Sequence, residues 1–178
     1  MDAGFPPIAG RDATVLILGS MPSQTSLRET QYYAHPRNRF WPLMANLLGF
    51  SPHLDYADRC KQMILHHIAV WDVIAEAERP GSMDASLVAD SIRCNDFTGF
   101  LQSQPNIRRI LCNGSTAYRL FHQQAARDVR EAALEVFRLP STSPANAAWS
   151  LERLVEAWRP ALGNSRSIAD ARAARRLS

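Results

Sequence analysis

Residues 32–42 read Tyr-Tyr-Ala-His-Pro-Arg-Asn-Arg-Phe-Trp-Pro, which crowds an imidazole, an amide, two guanidinium groups and four aromatic rings into one short stretch. A solvated loop would hold Gly, Ser and Asp instead. An amide such as Asn38 can orient a water molecule, an imidazole such as His35 can pass a proton, and Arg37 and Arg39 can grip an anion. Each has a plainer use as well. Asn38 suits the start of a helix, and His35 suits a loop held by its hydrogen bonds. Pro36 fixes its own φ and pushes His35 out of the helical region, so residues 32–35 should be extended or turning. A helix is expected over residues 38–49, because Trp41, Met44, Ala45 and Leu48 recur at helical spacing and Gly49 ends the run.

The elements that must position this stretch follow from the remaining pattern. Residues 1–12 read as an entry arm. Thr14-Val15-Leu16-Ile17-Leu18 is a continuously apolar strand of the kind buried on both faces of a parallel sheet, and Gly19-Ser20-Met21-Pro22-Ser23 follows it directly. In an open α/β sheet, ligands sit at such strand ends. A second strand is expected within residues 63–73. On a strand His66 and His67 would face opposite ways, which argues against a shared metal; Asp72 at its end matches the place of the serine motif on the carboxyl rim, although a cap for the next turn is the simpler use. Residues 75–90 read as a surface loop leading into a helix near residues 84–92, and a short helix is expected over residues 96–103. Residues 108–112 form the third strand, running into Asn113-Gly114-Ser115 and a helix over 116–127. The fourth strand covers residues 135–139, followed by Pro140-Ser141-Thr142-Ser143-Pro144-Ala145-Asn146 and a last helix over 147–158. Four strands alternating with helices give a single three-layer α/β domain over residues 13–160, with a four-stranded parallel sheet flanked by helices. The loops after all four strands then share one rim with the aromatic stretch. Residues 161–178 form a basic tail.

Composition narrows the chemistry. Cys60, Cys94 and Cys112 are odd in number and widely spaced, which suits neither disulfide staples nor a zinc or iron-sulfur site. The formal net charge is +3, and Lys61 is the single lysine among 20 basic side chains. Imine chemistry therefore has few amines to draw on, while an arginine-rich surface suits phosphates. No dinucleotide-type glycine pattern or lysine-bearing phosphate loop is present. The absence of a leader pattern or a bilayer-length apolar run makes a cytosolic location the expectation.

The three rim motifs, in this order, resemble those of the uracil-DNA glycosylase superfamily. They are residues 19–23 with the downstream 33–41, residues 113–118, and residues 139–146. Among its branches the chain looks most like the hypoxanthine-DNA (deoxyinosine) glycosylases, and next most like the mismatch-specific uracil/thymine enzymes. Two departures are informative. Where superfamily members place an Asp or Asn to position water, this chain has Met21, and where many begin the last motif with His or Asn it has Ser141. In the hypoxanthine branch the position of Asn38 takes over the catalytic duty.

The resemblance thus implies a monofunctional, metal-free and cofactor-free glycosylase of base excision repair, acting as a monomer on DNA with deaminated bases. Asn38 would be catalytic with His35 as a secondary candidate. Gly19, Ser20, Met21, Tyr33 and Asn113 would bind the base. Pro22, Ser23, Arg37, Ser141, Ser143, Pro144, Ala145 and Asn146 would meet the DNA, with residues 144–146 in the place of the wedge. The alternatives are a uracil or thymine mismatch glycosylase of the same fold, and an inactive module that binds damaged DNA.

Overall fold

The computed structural model describes residues 1–81 and 83–163. Strand β1 (Asp2–Ala3) opens the chain, and β2 (Val15–Gly19), buried along its whole length, leads into helix α1 (Gln24–Glu29). Helices α2 (Phe40–Leu48) and α3 (Tyr56–Leu65) precede β3 (Ile68–Asp72) and β4 (Ile74–Ala77). After two short 3-10 turns come β5 (Arg93–Cys94), α4 (Phe97–Ser103), β6 (Arg109–Asn113), α5 (Ser115–Glu131), β7 (Glu135–Leu139) and α6 (Leu151–Leu162). β3, β2, β6 and β7 form, in that order, the expected four-stranded parallel sheet. Its register pairs Gly19 with Asp72, Leu18 with Cys112 and Asn113 with Leu139. The carboxyl ends of all four strands therefore finish level, and one rim collects the loops that follow them.

Leu16, Ile17, Leu18, Ile110 and Leu111 are fully buried in the two central strands, as expected for strands covered on both faces. Helices α2 and α6 pack together, α4 packs on α5, and α3 lies on β3. Trp158 of α6 is fully buried, and its indole N–H donates to the Pro140 carbonyl at 3.0 Å. One core residue thus fixes the start of the loop after β7.

Several sequence expectations are corrected. The apolar run at residues 63–73 is not one strand. Asp55 accepts a hydrogen bond from Asp58 N–H and starts α3, which runs through Leu65, and His67 turns the chain at φ 59° before β3 begins. His66 and His67 therefore lie in a turn, so the opposite-face argument does not apply to them. The expected helix at residues 84–92 is replaced by the two 3-10 turns and β5. With β1 and β4, β5 builds a small antiparallel sheet that the sequence did not suggest. The entry arm is pinned to the body: β1 pairs with β4, Ile8 bridges Val70, and the Tyr32 hydroxyl donates to the Phe5 and Pro6 carbonyls. The last helix starts at residue 151, where Ser150 caps it, and continues through Pro160. Residues 164–178, most of the basic tail, lie outside the described residues.

Candidate active site

A cavity of about 660 Å³ opens at the carboxyl rim. Gly19, Ser20, Met21, Pro22 and Ser23 line it from the end of β2, Asn113 from β6, and Ser141, Ser143, Ala145 and Asn146 from the loop after β7. Tyr33 and Asn38 close it from the aromatic stretch. His35, Arg37 and Pro144 are not among its lining residues.

Asn38 does not cap α2 from within. Helix α2 begins at Phe40, and Asn38 Oδ1 accepts from the Phe40 N–H at 3.0 Å. The same oxygen accepts from Thr142 Oγ1 at 2.9 Å. Phe40 N–H can only donate, which fixes the oxygen end of the amide. Thr142 is in turn held by Asn113, whose Oδ1 accepts from Thr142 N–H and whose Nδ2 donates to Thr142 Oγ1, both at 2.9 Å. A directed relay therefore runs Asn113, Thr142, Asn38. It joins two loops to a strand end, and Thr142 is completely buried at its centre. Because both lone pairs of Asn38 Oδ1 are occupied, its Nδ2 hydrogens are what the amide offers a ligand.

Replacing Thr142 by valine keeps the shape and removes this link. The variant is expected to lose about 1–3 kcal/mol, the cost of leaving buried amide groups unpaired. Thermal unfolding reads that loss as roughly 2–4 °C per kcal/mol for a chain of this size; an unchanged melting temperature would show that the relay carries no stability.

The loop of residues 141–149 is held by a clamp that sequence reading missed. The Arg39 guanidinium donates to the carbonyls of Ser143 at 2.6 Å, Asn146 at 3.0 Å and Trp149, and Arg39 N–H donates to Thr142 O. Asn146 Nδ2 donates to Ser141 O at 2.9 Å, and the hydroxyls of Ser141 and Ser143 accept from Ser143 and Ala145 N–H. The loop is thus a folded unit with its own bonds.

His35 is placed differently from its candidate role. Its Nδ1 accepts from Arg37 N–H at 3.1 Å and its carbonyl accepts from Asn38 N–H, so it shapes the turn that presents Asn38. Arg37 is exposed on that turn. Ser23 caps α1 by accepting from Ser26 N–H, and Ser20 Oγ donates to Asp84 at 2.7 Å.

Tyr33 has φ 56°, a left-handed conformation that costs a tyrosine roughly 1 kcal/mol and is sustained only by its surroundings. One ring face stacks on Phe40 at 3.8 Å between centroids, tilted by 20°. Its hydroxyl is buried beside the Asn113 side chain, too loosely placed for a well-formed hydrogen bond. Burial raises its pKa, with Asp72 adding to the shift, so it stays a phenol.

Asp72, for which the sequence favours a capping role, is placed otherwise. It caps nothing; it is 3 % exposed, lines the cavity, and leaves Oδ2 unpartnered. Gly19 makes its position possible, since any side chain there would collide with Asp72 Oδ1 and the Tyr33 hydroxyl. Gly114 is needed for a different reason: its φ of 100° turns the chain from β6 into α5. No group of three or more His, Cys, Asp or Glu among the described residues could hold a metal ion.

A model of the uracil DNA glycosylase superfamily matches residues 6–162, which span the sheet, the rim and α6. The chain belongs to that superfamily. A hypoxanthine DNA glycosylase from Methanosarcina acetivorans is 34% identical over 151 residues, 84% of this chain and 91% of the relative. One from Methanosarcina barkeri is 35% identical over 112 residues, 62% of this chain and 70% of the relative. The solution NMR structure of a candidate uracil DNA glycosylase from M. acetivorans superposes with a TM-score of 0.77 at 33% identity, covering 92% of this chain and 98% of that one. Within the superfamily frame, the cavity is where the motif positions of this chain converge. No helix among the described residues is long and apolar enough to cross a membrane.

Proposed function

We propose that the protein is a monofunctional DNA glycosylase that hydrolyses the N-glycosidic bond of deaminated bases, chiefly hypoxanthine. The observation that carries this reading is the fixed Asn38 amide at the mouth of a cavity whose first motif supplies Met21, an apolar side chain, where a water-positioning Asp or Asn would stand. The similarity to two hypoxanthine DNA glycosylases supports the same substrate.

An enzyme that acts on a base takes it out of the stack, at a cost of roughly a few kcal/mol that is least where pairing is already poor. The Tyr33 ring face turned away from Phe40 receives the extruded base, and the Asn113 amide, beside the Tyr33 hydroxyl, turns to a purine acceptor when the base enters. Asn38 holds the attacking water through Nδ2. An amide is no base, so it contributes position and electrostatics rather than proton abstraction. The loop after β7, clamped by Arg39, offers the Ser141 and Ser143 hydroxyls to phosphates, with Ala145 and Asn146 at the place of the vacated base. Arg37 and Arg138, exposed at or near the mouth, add charge for the same contacts. The same reading has the protein acting as a monomer on DNA in the cytosol. With Lys61 exposed on α3, a lyase step on the abasic product has no lysine in the cavity.

A duplex series carrying inosine, uracil, xanthine or a thymine mispair, assayed for release of base, tests the substrate. Inosine is expected to be processed fastest. Faster release of uracil would move the protein to the mismatch type, and binding without release from any member would make it an inactive DNA-binding module.

A further inference from the structure

We infer that Asp72 is a catalytic general acid that protonates the departing purine at N7, an inference that rests on the glycosylase reading above. Three observations place it there. Asp72 stands at the end of β3 and leans over Gly19 of β2, whereas Asn38 is held from the β6 and β7 side through Thr142 and Asn113. The two groups thus line one cavity from different strands, Asp72 the more buried of the two, so that a base bound with its sugar at Asn38 can turn its ring toward the carboxyl. Asp72 is almost wholly buried, yet its Oδ2 has no partner among the described residues, although a buried polar atom is rarely left so without a use. Arg79, the nearby cation, is engaged with the Pro22 carbonyl and with Asp2 at 3.5 Å.

The groups around Asp72 favour its acid form. Burial pushes its carboxyl up to about 7, Asp84 from the 3-10 turn adds to the shift, and Arg79 opposes it. Tyr32 and Tyr33 face it as neutral phenols. Asp84 is kept close by its bond to Ser20 at the end of β2.

The step balances simply. The bond from C1′ to N9 breaks and its electron pair goes to the purine; N7, the most basic ring nitrogen of inosine, takes the proton from Asp72. Water held by Asn38 adds its oxygen to C1′ and releases a proton to solvent, from which Asp72 is recharged. Neutral hypoxanthine leaves in place of its anion. Met21 and Ser141 offer no charged group to support a departing anion, and Asp72 makes that support unnecessary.

The test is single-turnover release of hypoxanthine from an inosine duplex between pH 5.5 and 9. Wild type should be fastest at acid pH and fall as pH rises past about 7. Asp72→Asn keeps the shape but holds no transferable proton. It should lose about 10²-fold at pH 6 and show no alkaline fall, within the range positioned acids supply. Asp84→Asn removes the like charge, lowers the Asp72 pKa and should move the fall to lower pH. That variant decides the matter even if Asp72→Asn does not fold. Folding itself is a second readout. A carboxyl whose folded pKa is raised from 3.8 adds stability below that value and loses it as pH rises through about 7. Asp72→Asn should therefore melt above wild type at pH 8. Retained release in Asp72→Asn, a pH profile parallel to wild type, or an unmoved profile in Asp84→Asn would overturn the role of Asp72 and leave the glycosylase intact. No release by wild type at any pH would remove the glycosylase reading and this inference with it.

Discussion

Asn38→Ala is expected to lower release of hypoxanthine about 10²-fold, the scale of rate lost when a reacting group is no longer held in place. The expectation follows from how the side chain is held. Its oxygen is committed to Phe40 N–H and Thr142 Oγ1, so the amide has one orientation before any ligand arrives. Such preorganisation matters because a misplacement of about 1 Å can cost 10²-fold in rate. The same two bonds bound the side effects. Alanine removes the acceptor of the Phe40 N–H and leaves the buried Thr142 hydroxyl without one, together about 2–3 kcal/mol, so the variant should melt roughly 4–12 °C below wild type, still fold, and bind DNA nearly as well. Single-turnover release beside a binding isotherm separates the two effects. Turnover close to wild type would remove Asn38 from the chemistry, and a parallel loss of binding would make it a DNA contact.

Much of this arrangement can be read in the sequence, and the rest is hidden for identifiable reasons. The rim was legible because the two central strands are short apolar runs ending in small or polar residues, as at Leu18-Gly19 and Cys112-Asn113-Gly114. Asn38 stood out through its neighbours. Asp72 did not, since an aspartate after a strand looks the same whether it caps a turn or lines a cavity. What decides is Gly19 on the adjacent strand and Asp84 on a distant turn, and neither relation is local in sequence. Thr142 shows no role in sequence for the same reason: its partners Asn38 and Asn113 are 104 and 29 residues away. The misassigned residues 63–65 join Ile68, Ala69 and Val70 into one apolar run, but Ile64 and Leu65 are 38% and 67% exposed, as a helix end allows and a central strand would not. The Asp55 cap was the available sign of that helix. Strands β1, β4 and β5 have two to four residues each, too short for a period to show.

Phe40→Ala should be strongly destabilising, because Phe40 is where the core and the site meet. Its ring is completely buried, stacks on Tyr33 at 3.8 Å and meets Trp41 edge-on at 5.0 Å. Its N–H is one of the two donors that hold Asn38. Truncating a buried phenylalanine typically costs about 3–5 kcal/mol, and the aromatic contacts put this site toward the upper end. At roughly 2–4 °C per kcal/mol the melting temperature should fall by about 6–20 °C. Base release should fall too, for a separate reason: Tyr33 holds its left-handed backbone only while Phe40 supports the ring. Phe40→Leu sorts the two effects. Leucine refills much of the volume, so stability should largely return, yet it offers no flat face, so release should stay depressed. If Phe40→Leu restores both together, Phe40 is core alone and the placement of Tyr33 does not depend on the stack.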